Sequence, residues 1–389
     1  MSWRHIVAAI LVGGGAASAP RVHAQPAQPQ VHIAIGFGVD TTSPPNHDIL
    51  TLYRSYIAAR QDTAQARAYW LESEQREWPH YDLLAPSVYQ GFTHFTIVHL
   101  APAVGLDSTY LIRILVSGVD DSTRDVSPLA LFRVYATRQT GHWVLANALP
   151  RLTRGWHHDT FAELTFVYPP GHRFDRRKAA ATAAFVDSLA RRFALPKQLP
   201  ITYYFTDDMV ETLAAAGLDF FPIGSDTVGG RAEPWDRFVL VGSSSSGESY
   251  RHELAHIVLA PLFTGARPQG RILEGLMTWV GGSAGLDYAH LLPGLRGYLE
   301  GHPELTLERV LSDPPPRVGS LDVGYDGAAV LCALVHDHGG DEAVREFVRA
   351  GPTPADVLDA ASRLLGVSRD SVDAQWRRAA LQEATPSRR

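Results

Sequence analysis

The chain has a single cysteine, Cys332, in 389 residues. No intramolecular disulfide can form, so the fold has to rest on packed cores and not on covalent staples. Lysine is nearly missing too, present only as Lys178 and Lys197, and the net charge is −6. Without the first 24 residues, which carry two arginines and no acid, the balance becomes −8. A mildly acidic chain lacks the clustered cations that phosphate contacts need, which argues against nucleic-acid binding. Long apolar runs are absent beyond the N-terminus. The longest later uncharged stretch, Leu83 to Leu106, is interrupted by Pro, Gly, Ser, Gln and His, so no integral membrane segment is expected there. Cys332 lies within the apolar run Ala328 to Val335 and reads as a buried structural residue.

What is present fits a globular protein, with 45% hydrophobic and 20% charged residues. Arg4 and His5 precede an apolar stretch, Ile6 to Val12, and Val22-His23-Ala24 offers a small-residue cleavage site. Residues 1–24 therefore read as an export signal, which makes the expected location periplasmic or extracellular. Residues 25–45 read as a linker, opening on a Pro/Ala/Gln tract, with a weak strand pattern over Val31 to Val39.

Helical spacing over Asp48 to Gln61 and again over Asp62 to Glu77 predicts two helices. Strand patterns follow at Phe92 to Leu100, Tyr110 to Gly118, Leu129 to Thr137 and Trp143 to Leu149. Helices followed by an antiparallel sheet give an α+β unit over 46–150. This order, with the hairpin from Arg133-Val134-Tyr135 to Trp143, resembles the nuclear-transport-factor-type (SnoaL-like) cone fold. Such folds serve as enzymes, ligand pockets or dimerisation modules, so a homodimer through this unit is one expectation. The resemblance brings no catalytic set with it.

A second unit is expected over 151–389. It opens with strands at Phe161 to Tyr168, Pro200 to Phe205 and Arg237 to Val241, and helices at Arg176 to Phe193 and Asp207 to Ala216. From Ser249 onward the pattern is almost wholly helical. His157-His158 is expected in a turn, and His336 and His338 at a helix C-terminus, where the dipole favours cations. Trp376 reads as core.

Within this unit His252-Glu253-Leu254-Ala255-His256 is an H-E-x-x-H sequence. Ser245 and Glu248 are spaced as a capping box, Tyr250 to Leu259 contains no Gly or Pro, and Pro261 ends the run. On a helix, residues four apart point the same way, so both imidazoles can reach one ion. Glu253 projects beside that ion and can take a proton from metal-activated water. Glu274, in the apolar stretch Ile272 to Trp279, is the expected third ligand, since an unpaired carboxylate would be costly to bury there. Gly275 beside it would let the two helices approach.

The pattern resembles the gluzincin branch of the zincin metallopeptidases, the peptidase MA-like group, in which Glu-Gly follows the second His by about eighteen residues. Here the step from His256 to Glu274 is eighteen. The resemblance implies Zn2+ bound by His252, His256 and Glu274, Glu253 as general base, and a peptide or protein substrate. Gly324-Tyr325-Asp326-Gly327 resembles the tyrosine segment of related sites, which makes Tyr325 the candidate donor to the oxyanion. Asp322 and Asp326 are either partners of the site or helix-start acids. The thermolysin-like Asp four residues after the glutamate is replaced by Thr278, and no Gly-x-Met-x-Asn aminopeptidase signature is present. Phe238 to Val241 is the expected edge strand for substrate pairing. A rival reading stays open, in which the protein is a non-catalytic binding or assembly protein with zinc as a structural clamp. Against it stands Glu253, a base that a purely structural site does not need.

Overall fold

The computed structural model describes residues 31–60, 62–80, 92–120, 122–123, 125–196, 199–220, 228–312, 317–318 and 321–382. The expected export signal and the 25–30 tract lie outside these residues. Among the described residues, no helix is long and apolar enough to cross a membrane.

The fold is α+β, with two small sheets and a large helical part. The first sheet begins with β1 (His32–Ile35), inside the region expected as linker, which pairs in parallel with β2 (His94–Pro102). From β2 the chain runs antiparallel through β3 (Thr109–Val119), β4 (Val126–Gln139) and β5 (His142–Ala146). Alternation puts Phe95 and Ile97, Ile112 and Ile114, and Phe132 and Val134 on the buried face. Helix α1 (Pro44–Ala59) covers that face with Ile49, Tyr53, Tyr56 and Ile57, whose three- and four-residue steps form one stripe.

The helix expected over Asp62 to Glu77 is broken. It forms α2 (Thr63–Arg67), capped by Asp62, and α3 (Glu72–Glu77). Between them the backbone pairs with β5: Leu145 N–H donates to Tyr69 O, and Leu71 N–H donates to Leu145 O. Sheet hydrogen bonds have won over helix continuation at this point.

After the short α4 (Leu149–Leu152), the second sheet has the order β10-β11-β8-β7-β6. Its hairpin is β6 (His157–Phe161) with β7 (Leu164–Tyr168), so His157 and His158 lie in a strand, not in a turn. Helix α5 (Arg176–Arg192), capped by Asp175, carries the chain to β8 (Ile201–Thr206), which is parallel to β7. Helix α6 (Met209–Ala215) follows, and then β9 (Leu218–Phe220), which joins β4 of the first sheet. Strand β10 (Gly229–Glu233) runs antiparallel to β11 (Phe238–Gly242), which is itself parallel to β8. The expected edge strand Phe238 to Val241 is therefore interior, and among the described residues β10 occupies the edge. A Gly-Gly-Arg-Ala-Glu sequence has too little β-branched or aromatic character to announce a strand.

Helices α7 (Arg251–Leu259) and α8 (Gly270–Gly281) follow, then α9 (Tyr288–Gly301) and α10 (Leu307–Ser312). A two-residue ribbon, Arg317–Val318 with Leu321–Asp322, precedes α11 (Val323–Phe347), α12 (Pro354–Leu365) and α13 (Arg369–Gln382). Helix α11 kinks at Gly340, just after His336 and His338. Cys332 and Trp376 are fully buried as expected, and the Trp376 indole N–H donates to Gly327 O at 2.8 Å. Gly275 serves a different contact from the one expected: a Cβ there would lie 2.5 Å from the Ala328 Cβ, so this glycine brings α8 against α11 and not against α7.

Two glycine replacements should act in opposite directions. Gly275→Ala forces α8 and α11 apart and should cost about 1–3 kcal/mol. Gly297→Ala, exposed inside α9 with nothing within 4 Å of the new methyl, should stabilise by about 0.5–1 kcal/mol. Chemical denaturation of the two variants checks both signs.

Candidate metal centre

The site starts from helix α7, which is packed between the second sheet and α8. Its opening differs from the expected capping box. Residues 247–249 form a single 3-10 turn, the N-cap is Tyr250, and no side chain caps the helix. Glu248 is engaged elsewhere: its buried carboxylate accepts from the Asp175 N–H at 2.7 Å and meets His172 Nε2 at 2.9 Å. The H-E-x-x-H residues are helical nonetheless.

His252 and His256 lie one turn apart and both face Glu274 on α8. His252 Nε2 is 3.2 Å and His256 Nε2 is 3.6 Å from Glu274 Oε2. All three ligand atoms lie within 4.8 Å of one another. Atoms bound about 2.0–2.1 Å from a tetrahedral zinc stand about 3.3–3.4 Å apart, so these spacings fit the edges of such a polyhedron. Glu274 is 2% exposed, and its Oε1 has no hydrogen-bond partner among the described residues. A buried carboxylate oxygen left this way is expensive unless a cation or donor reaches it. Two imidazoles and one carboxylate form a donor set that suits zinc. The residues fit the ion.

The His252 Nδ1–H donates to Gly282 O at 2.7 Å, which turns Nε2 toward Glu274, where it donates a hydrogen bond to the carboxylate and is the nitrogen that would give its lone pair to an ion instead. This carbonyl fixes the orientation of the His252 ring. Gly282 can occupy its position only as glycine: its φ is +81°, and a Cβ would meet Leu286 O at 2.1 Å. Gly281, where a Cβ would sit 3.0 Å from the His252 Cα, sets the approach of α7 and α8. The Gly281-Gly282 pair at the end of the Glu274 helix is the sequence signal of this close approach.

Burial alone would lower the His252 pKa, but the hydrogen bond to Glu274 and the charges of Glu253 and Glu274 outweigh it and push it up to about 9. Burial acts on Glu274 in the raising direction and is likewise overcome, by His256 and His252, which hold it near 2. Glu253 behaves differently. Its pKa is raised, first by burial and then by Glu274, against the lowering effect of the two histidines.

Glu253 is buried but outside the three-residue cluster. It packs on strand β10, where the Ala232 N–H hydrogen-bonds its carboxylate. Gly230 makes this seat: a Cβ there would fall 2.3 Å from the Glu253 Cγ. The Gly229-Gly230 pair was the only sequence signal of it. Tyr325, at the start of α11, stacks its ring parallel to His252 at a centroid distance of 6.3 Å. Asp322 accepts from the Gly324 and Tyr325 N–H groups at 3.0 Å, which makes it the helix-start acid of the two expected roles. Asp326 is 1% exposed. The pairs His157-His158 and His336 with His338 take no part in this cluster.

No protein-family model matches the chain, and no curated protein matches it.

Elemental analysis of the purified protein should find one equivalent of zinc per chain. Glu274→Ala should weaken zinc binding by more than about 100-fold. Chelation should lower the melting temperature, since zinc at 1,000 times its Kd contributes about 4 kcal/mol. Retention of zinc at wild-type affinity by the Glu274→Ala protein would exclude this carboxylate as a ligand.

Proposed function

We propose that the chain is an exported zinc metallopeptidase, with a gluzincin-like catalytic unit following a cone-like N-terminal unit. The observation that carries the reading is a division of labour on one helix. His252 and His256 converge on Glu274, while Glu253, between them, is buried at the same centre without joining the cluster. A structural clamp needs the first feature only.

Zinc held by His252, His256 and Glu274 would supply Lewis-acid polarisation of water and of a carbonyl. The protein's own groups handle the proton. Glu253 accepts it from water as water attacks the peptide carbonyl, and then returns it to the leaving amine, so the carboxylate is regenerated. Burial favours this, because a carboxylate with a raised pKa is a stronger base. The Ala232 N–H and the tight seat over Gly230 hold the carboxylate in one position. Tyr325, ring-stacked beside His252, is the proposed donor to the oxyanion. Among the described residues, strand β10 has β11 on one side only, so an extended peptide can pair with its other edge. That geometry favours a peptide over a small ester.

Glu253→Gln should keep one equivalent of zinc and lose about 100- to 10,000-fold in kcat/KM on a peptide-library substrate. Gly230→Ala should also keep zinc while losing activity, because it displaces the base and not the ligands. Tyr325→Phe should lose about 100-fold in kcat with KM little changed. A zinc-loaded protein that cleaves no peptide, or a fully active Glu253→Gln protein, ends this reading.

A further inference from the structure

Behind the His252 ring, on its Gly282 side, lies a cavity of about 480 Å³. Its walls are the serine loop before α7, the opening turn of that helix, and the chain from Trp279 to Ala289. Trp279, Leu286 and Tyr288 give it an apolar side. The other side is polar and only partly satisfied. Ser246 is 6% exposed and lines the cavity, yet its hydroxyl has no hydrogen-bond partner among the described residues, although its backbone N–H donates to Ser243 Oγ. Arg251 also lines it, half-buried against the Phe185 ring, with no carboxylate at ion-pair distance among the described residues. The opening turn of α7 lacks a side-chain cap, so its N–H groups add positive potential. The serine loop is fixed from below, where Lys178 Nζ donates to Ser245 O at 2.8 Å and Thr182 Oγ1 donates to Glu248 O at 2.8 Å. Among the described residues, Asp287 is the one acid on the wall. It is exposed at the rim, capping α9 through the His290 N–H and contacting His290 Nδ1 at 2.6 Å.

We propose that this cavity is a substrate pocket for a carboxylate, with Arg251 and the Ser246 hydroxyl as its recognition groups and the Trp279–Tyr288 wall holding the carbon chain. Resting on the peptidase reading, it places an acidic group of the substrate on the Gly282 side of His252, the ligand-set residue that lines the cavity. The carboxylate can come from an Asp or Glu side chain or from a free chain terminus.

Zinc-loaded full-length protein is given peptide pairs that differ only by Glu or Gln at one position, stepped from three residues before to three residues after the cleaved bond. Each peptide is made as a free acid and as an amide. One Glu position, or the free-acid end, should raise kcat/KM about tenfold or more, chiefly through KM, which also identifies the source. Ser246→Ala should reduce that gain, and Arg251→Glu should abolish or invert it, with zinc content reporting that the fold is intact. Equal cleavage of all pairs, or a gain that survives Arg251→Glu, overturns the pocket and leaves the peptidase reading standing. If no peptide is cleaved, the peptidase reading fails by itself and calorimetry decides for the pocket. N-acetylglutamate methylamide should bind the wild type more tightly than its glutamine counterpart, with the difference lost in Arg251→Glu, and no difference overturns it.

Discussion

Burial of the Glu274 carboxylate between two imidazoles is the constraint on which the second half of the fold depends. An ionised carboxylate this deep would be prohibitive alone. It is tolerated because His252 and His256 are brought to 3.2 and 3.6 Å of the same oxygen. That convergence needs α7 and α8 closer than ordinary side chains allow, which Gly281 provides. It also needs α8 held from behind by α11, where Gly275 meets Ala328. A cluster of this kind is specified by close backbone packing as much as by its ligands, so its weak points include glycines that touch no metal.

What the sequence disclosed and what it hid follow from the range of the interactions. His252, Glu253 and His256 were legible because helical periodicity is local, and Glu274 because a carboxylate in an apolar helix demands a partner. The Gly282 carbonyl was not legible: it is thirty residues from His252, and a backbone acceptor has no residue type to announce it. The capping box at Ser245 and Glu248 failed for a related reason. Its spacing was right, but the Glu248 carboxylate found a stronger set of partners in His172 and the Asp175 N–H, on a segment the local pattern cannot see. The helix expected over Asp62 to Glu77 broke where Leu145 offered strand pairing on both sides of Trp70. In the last two cases a distant backbone group prevailed over a local preference.

The two sheets are joined by more than chain connectivity. Met209, Leu213 and Leu218, all beyond residue 150, pack into the core of the first sheet. There β9 pairs with β4, and Asp219 forms ion pairs with Arg133 and Arg113. The strand that follows this excursion is β10, which seats Glu253. The N-terminal sheet thus holds Met209, which also lies against Gly229 of β10, so a change in that sheet has a physical route to Glu253 that does not pass through His252, His256 or Glu274.

Two glutamates of equal intrinsic acidity are treated in opposite ways by the same centre. Both are buried, and both sit near the same two imidazoles. Glu274 meets them directly and is held near 2, permanently charged at any physiological pH. Glu253, one residue from His252 but turned toward β10, has burial as its dominant influence and is shifted upward instead. Pushing the pKa values of neighbouring carboxyl groups in opposite directions is how a site keeps one as a fixed charge and frees the other to move a proton. A scaffold built only to hold an ion would gain nothing from burying the second carboxyl, and it would carry the desolvation cost of Glu253 without return.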